Sequence, residues 1–290
     1  MTQTQTQTQT ERFEVDRDGL TLAGERVGRP DEDGPPTVLF LHAGVADRRS
    51  WDGVLDHLVT SGWVGQLVSY DRRAYGQTPP SPSAYTDLAD LLAVLDVVSP
   101  DRPAFLVGSS MGGAIALEAV VTSPDRVAGL ALIAPGVPGM PEYADNPPEL
   151  DALVDAHREA YERHDLDEIN RVEAHLWLDG PLAPEGRVAG GARKLFLTMN
   201  AAALAAEGED VGGDADVNVW AGLTAVTAPV TLVYGALDAD VPREDPPGFV
   251  RRRPGTSWEI WPDRSHLPYL EDPAQTADLV RRAVGALPVT

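Results

Sequence analysis

Ala104 to Ala119, AFLVGSSMGGAIALEA, constrains this chain more than any other stretch. It reads as a buried strand over Ala104 to Val107, a tight turn, and a helix. The turn, Gly108-Ser109-Ser110-Met111-Gly112, is a G-x-S-x-G. Such a turn lifts its central serine to the top of a parallel sheet. Gly108 and Gly112 lack the Cβ atoms that would collide across so sharp a bend, and Gly113 lets the helix pack close to the sheet. The Met111 N–H falls at the helix N-terminus, where backbone donors favour an anion. The bland alternative is an ordinary strand-turn-helix connection with incidental serines, so the rest of the chain has to decide.

The surrounding pattern alternates strands with helices. Arg12 to Asp16 and Leu20 to Arg26 flank Asp18-Gly19, a hairpin signal. Thr37 to Leu41 is a continuous apolar run, as expected of a strand buried on both faces. It leads into His42-Ala43-Gly44, after which Ser50 is expected to cap a helix containing Trp51, Val54, Leu55 and Leu58. Val64 to Tyr70 is the next expected strand, and Ser83 to Val98 has helical spacing of its leucines. Another strand is expected at Val127 to Ala134. Alternation of this kind implies a mostly parallel sheet flanked by helices, an α/β fold.

The rhythm breaks at Pro135. From Val137 to Leu223 the expected elements are helices, at Glu149 to Arg163, Asp165 to Leu178 and Gly186 to Ala206, with an acidic, glycine-rich loop over Glu207 to Asp216. Strands return at Val230 to Tyr234 and Ser257 to Trp261, and a last helix follows Pro273. The expected organisation is a polar, disordered tail (1–10), a first core segment (11–136), an inserted helical cap (137–223) and a second core segment (224–290).

Composition narrows the chemistry. The sequence of 290 residues contains no cysteine, which excludes disulfides, thiol catalysis and cysteine-ligated metals. Its formal net charge of −22 disfavours nucleic acid and anionic membrane surfaces as partners. No apolar run approaches the ~20 residues of a membrane span. The opening MTQTQTQTQT has neither the basic nor the apolar region of a secretory signal, so a cytoplasmic protein with a small-molecule substrate is expected. His157, His164 and His175 form no H-E-x-x-H, and no glycine-rich phosphate motif occurs, so neither a metal nor another cofactor is expected.

An activated serine needs a base, an acid to orient that base, and donors for the oxyanion. Asp238 follows the strand VTLVYG, and His266 follows SWEIW. Gly44 follows the strand TVLFL, and its N–H could join that of Met111 as an oxyanion donor. Asp240 and Asp245 compete with Asp238 for the acid's place.

With the G-S-S-M-G-G elbow, the H-x-G loop, the RRSW segment, YDRRAYGQT and the terminal acid and histidine motifs in this order, the chain resembles the α/β-hydrolase superfamily, capped esterases and lactonases in particular. The resemblance covers nearly everything after the tail. Ala43 and Ala74 stand where the family has glycine. Family spacing favours Asp238 as the acid.

The resemblance implies a cofactor-free serine hydrolase of a small carboxylic ester or lactone. Ser110, His266 and Asp238 would be its triad, Gly44 and Met111 its oxyanion donors, and Trp177, Leu267 and Val45 its pocket candidates. Trp177 could face the site or anchor the cap's own core. Met199 and Leu204 are further lining candidates. Hydrolysis of a carbon–carbon bond in a dienoate, and a non-catalytic ligand-binding protein on the same fold, are the alternatives.

Overall fold

The computed structural model describes residues 10–141, 148–206, 210–213, 215–239, 241–242 and 247–288. Most of the expected tail, the competing Asp240 and Asp245, and part of the acidic loop lie outside them.

Eight strands form one sheet in the order β1-β2-β4-β3-β5-β6-β7-β8. They are β1 (Glu11–Arg17), β2 (Leu20–Val27), β3 (Val38–Leu41), β4 (Leu67–Tyr70), β5 (Ala104–Ser109), β6 (Val127–Ile133), β7 (Val230–Gly235) and β8 (Ser257–Trp261). β1 pairs antiparallel with β2, and β2 with β4. From β4 to β8 every pairing is parallel.

The continuous apolar strands behave as sequence pattern requires, burying both faces and feeding two cores. Successive residues of a strand point to opposite faces. Leu39 and Leu41 of β3 therefore join one apolar cluster, with helices α2 (Asp87–Val98) and α3 (Met111–Thr122). Val38 and Phe40 join the other, with α1 (Asp52–Thr60) and the last helix, α10 (Pro273–Gly285). Phe40 is fully buried against Trp51. Truncating a side chain of that kind costs about 3–5 kcal/mol.

Between β6 and β7 run α4 (Pro148–Glu162), α5 (Leu166–Glu173), a π-helical turn (Ala174–Asp179), α6 (Gly190–Ala206) and the short α7 (Val219–Gly222). α8 (Gly248–Arg252) and α9 (Pro268–Glu271) complete the helices among the described residues.

Several expected boundaries move for local reasons. Ser50 caps no helix. Asp47 accepts the Arg49 N–H and caps a short 3-10 turn, Arg48–Trp51, from which α1 continues. Val64 to Gln66 are not strand, because Gly65 turns the backbone to φ 110° just before β4. Thr86 delays α2 by accepting the Ala89 N–H. The single long helix expected over Asp165 to Leu178 is α5 running into the π turn, where the Gly180 N–H reaches the His175 carbonyl at 2.9 Å. π turns of this type concentrate at functional sites.

Candidate active site

The carboxyl ends of β3, β5, β7 and β8 converge on one edge of the sheet, where open α/β sheets bind ligands. Ser110 sits between β5 and α3 at φ 51°, ψ −116°. A non-glycine residue rarely adopts a positive φ, and such strain persists only where neighbours hold it. Here the Ser110 N–H donates to the Ile133 carbonyl at 3.0 Å, and the Ser110 carbonyl accepts from Ala114 at 3.0 Å and Gly136 at 3.1 Å. Gly112 makes the close approach possible, since a Cβ there would lie 2.7 Å from the His42 carbonyl oxygen. Ser110 is partly accessible, whereas Ser109 is wholly buried in the strand. Of the two adjacent serines, solvent reaches Ser110.

The structure brings Asp238 and His266 together. The His266 Nδ1 lies 3.0 and 2.9 Å from the two Asp238 carboxylate oxygens. Both residues are buried. An ionised carboxylate only accepts, so Nδ1 carries the proton and Nε2 is the basic nitrogen of the neutral ring. Gly235 lets the two loops meet, because a Cβ there would strike the Arg264 and Ser265 carbonyl oxygens.

The loop after β3 is built around one peptide unit. The Ala43 carbonyl accepts His42 Nδ1–H at 2.8 Å, Arg72 Nη2 at 3.3 Å and the Ala46 N–H at 3.3 Å. In a trans peptide the next N–H points the opposite way, so pinning that carbonyl aims the Gly44 N–H. Among the described residues, neither the Gly44 nor the Met111 N–H donates a hydrogen bond. A Cβ on Gly44 would lie 3.3 Å from Met111 Cε, so the loop and the helix start are in contact.

His42 braces this loop. Its Nε2 accepts the Arg72 N–H at 3.1 Å, and its ring is fully buried. Burial first, then the nearby Arg72 charge, holds its pKa well below the ordinary 6.5. Asp71, Arg72 and Arg73 fix their loop. Asp71 pairs with Arg48, and Arg73 Nε meets Asp90 at 2.7 Å. Arg72 donates to Asp87 at 3.1 Å and to Met111 Sδ at 2.8 Å. Ala74 has φ 66°, a left-handed conformation that glycine adopts without a steric cost. Ala43 has no positive φ, so its methyl is tolerated.

The pocket candidates separate. The Trp177 ring packs on His266 with centroids 4.8 Å apart and planes tilted by 48°. Val45 lines a cavity of about 260 Å³ beside Gly44, and Leu204 lines it too. Leu267 does not line that cavity. It is fully buried in the core cluster that holds Trp51 and Tyr269, because α9 starts immediately after it and turns its side chain inward. Met199 is likewise core. His157 pairs with Glu173, while His175 Nε2 donates to the Ala183 carbonyl, so the insertion's histidines serve separate contacts.

One bridge had no signal in the sequence. Glu271 accepts the Ser265 N–H at 2.8 Å and Arg187 Nη1 at 2.6 Å, tying the insertion to the residue before His266. Its partners are 84 and 6 positions away, spacings that mark no motif.

A model of the alpha/beta hydrolase family matches residues 38–279. The pimeloyl-[acyl-carrier protein] methyl ester esterase of Aeromonas salmonicida is 26% identical over 283 residues, covering 92% of this chain and 100% of its own. A putative aryl esterase from Burkholderia cenocepacia superposes with TM-score 0.69 at 23% identity, covering 95% and 100% of the two chains. Est816, described as an N-acyl homoserine lactone degrading enzyme, superposes with TM-score 0.70 at 20% identity, covering 93% and 99%.

Proposed function

The chain belongs to the alpha/beta hydrolase family, and from that premise we propose that it is a cofactor-free serine hydrolase of a small carboxylic ester or lactone. Ser110 Oγ attacks the carbonyl carbon while its proton passes to His266 Nε2. Asp238 holds the ring in the required tautomer and stabilises the imidazolium that forms. The carbonyl oxygen becomes an oxyanion held by the Gly44 and Met111 N–H groups. Collapse breaks the bond to the alcohol oxygen, which leaves with the proton from His266. Water then attacks the acyl-enzyme, giving one proton to His266. When that tetrahedral adduct collapses, the carboxylic acid leaves and Ser110 Oγ recovers the proton.

The observation that carries this reading is the buried Asp238–His266 pair at the carboxyl edge, on the sheet edge that also presents Ser110. The esterase relative and the aryl esterase and lactone-degrading neighbours are of the same reaction class by their names.

The test is kinetic. A base must be neutral, so kcat/KM on a short ester should fall tenfold per pH unit below the histidine's pKa, nominally about 6.5. His266→Ala should remove that limb and most of the rate. Substantial activity with a flat profile between about pH 5 and 8 would exclude a histidine base.

A further inference from the structure

The cavity beside Gly44 has an unusual roof. It is lined from the insertion by Glu173 and Asn200, and from the core by Gly44, Val45 and Tyr75. Asn200 is only 2% exposed, yet it reaches this cavity.

Its amide orientation follows from its neighbours. The Leu197 carbonyl can only accept, so Asn170 Nδ2 donates to it at 2.9 Å. Asn170 Oδ1 therefore faces Asn200 and accepts its Nδ2 at 3.1 Å. The same Nδ2 donates to Glu173 Oε2 at 2.6 Å. Both amide hydrogens are thus used, and Asn200 Oδ1 accepts no hydrogen bond among the described residues. With its amide hydrogens engaged, this oxygen is free to accept from a donor that enters the cavity.

Glu173 adds further acceptor capacity. Among the described residues its Oε1 meets His157 Nε2 alone, at 3.0 Å, and a carboxylate has about four lone-pair sites. Asp210 also lines the cavity, and none of its described lining residues is Lys or Arg. The Arg72 guanidinium stacks on the Tyr75 ring, 4.4 Å from its centroid, and is paired with Asp87. The insertion's side of the lining thus holds two carboxylates and the Asn200 oxygen as acceptors, with no Lys or Arg among its described residues.

We infer that this cavity is the subsite for a substrate arm that ends in a hydrogen-bond donor, such as a hydroxyl or amine, with Asn200 Oδ1 and Glu173 as its acceptors. The inference rests on the ester-hydrolase reading, because Gly44 is both the proposed oxyanion donor and the cavity's inner wall. The reacting carbonyl sits at Gly44 and the donor end beneath the insertion. An arm ending in a carboxylate meets Glu173 and Asp210 and is rejected.

Three ethyl esters of matched length test this: hexanoate with a terminal hydroxyl, heptanoate with a methyl in its place, and the monoethyl ester of adipic acid. Wild type should favour the hydroxy ester over heptanoate by about tenfold in kcat/KM, the worth of one net hydrogen bond. The adipate should be the poorest. Asn200→Ala should bring the hydroxy-to-methyl ratio toward one, and Glu173→Gln should raise the adipate relative to heptanoate. Calorimetric binding of the same three esters to Ser110→Ala separates the two readings. Hydrolysis by wild type without a preference overturns the subsite and leaves the hydrolase. Preferential binding without hydrolysis by wild type overturns the hydrolase and leaves the subsite. A wild type that prefers heptanoate or the adipate contradicts the inference even if neither variant folds.

Discussion

At the scale of single residues, buried His42 links the site to stability. Its folded pKa lies well below its unfolded one, so the unfolded chain binds a proton that the native ring refuses. The native state loses stability as pH falls below about 6.5, by up to about 1.4 kcal/mol per pH unit for one proton. His42→Asn removes the titrating group, so its melting temperature should fall less steeply between pH 6.5 and 5 than that of wild type, from whatever starting value. Parallel slopes would mean that other groups set the acid limb. The order Ser110, Asp238, His266 was legible in the sequence because each follows the end of a strand, β5, β7 or β8, on the same sheet edge. It could not place Leu267, whose direction depends on the start of α9 rather than on its neighbour His266. Nor could it reveal Asn200 Oδ1, since the amide is oriented by Asn170, 30 positions away.

At the scale of elements, the π turn places Trp177 on His266, and the two readings of this tryptophan give different outcomes. The indole is partly buried and touches both the core beside the sheet and a smaller cluster within the insertion. Trp177→Ala should therefore cost well under the about 3–5 kcal/mol of a fully buried aromatic. It should lower kcat/KM for a bulky ester far more than for a short acetyl ester. Thermal melts alongside kinetics on both esters check this; equal losses together with a large fall in melting temperature would make Trp177 a structural anchor. The central strands β3, β5, β6 and β7 were readable because burial leaves continuous apolar runs, and β1 and β2 because Asp18-Gly19 marks their hairpin. The π turn was not, because its periodicity differs from that of a helix by one extra residue inside an otherwise regular pattern.

At the scale of the whole molecule, charge and assembly dominate. With 45 acidic and 23 basic side chains, negative charges outnumber positive ones by 22. Raising ionic strength from about 0.01 to 0.1 M shortens screening from about 30 to 10 Å, which relieves repulsion between dispersed carboxylates more than it weakens close ion pairs. The melting temperature should rise over that range of NaCl; a fall would mean that ion pairs such as Arg187–Glu271 outweigh the repulsion. Assembly also underlies the central claim, that four strand ends distant in sequence turn Ser110 into a nucleophile only in the folded chain. The most direct measurement is fluorophosphonate labelling with the modified residue located by mass spectrometry, on folded and on urea-unfolded protein. The account predicts one adduct, on Ser110, formed by the folded chain and not by the unfolded one, and abolished in Ser110→Ala. An adduct on Ser109 or elsewhere, labelling that survives unfolding, or no labelling of an enzyme that hydrolyses esters would contradict it.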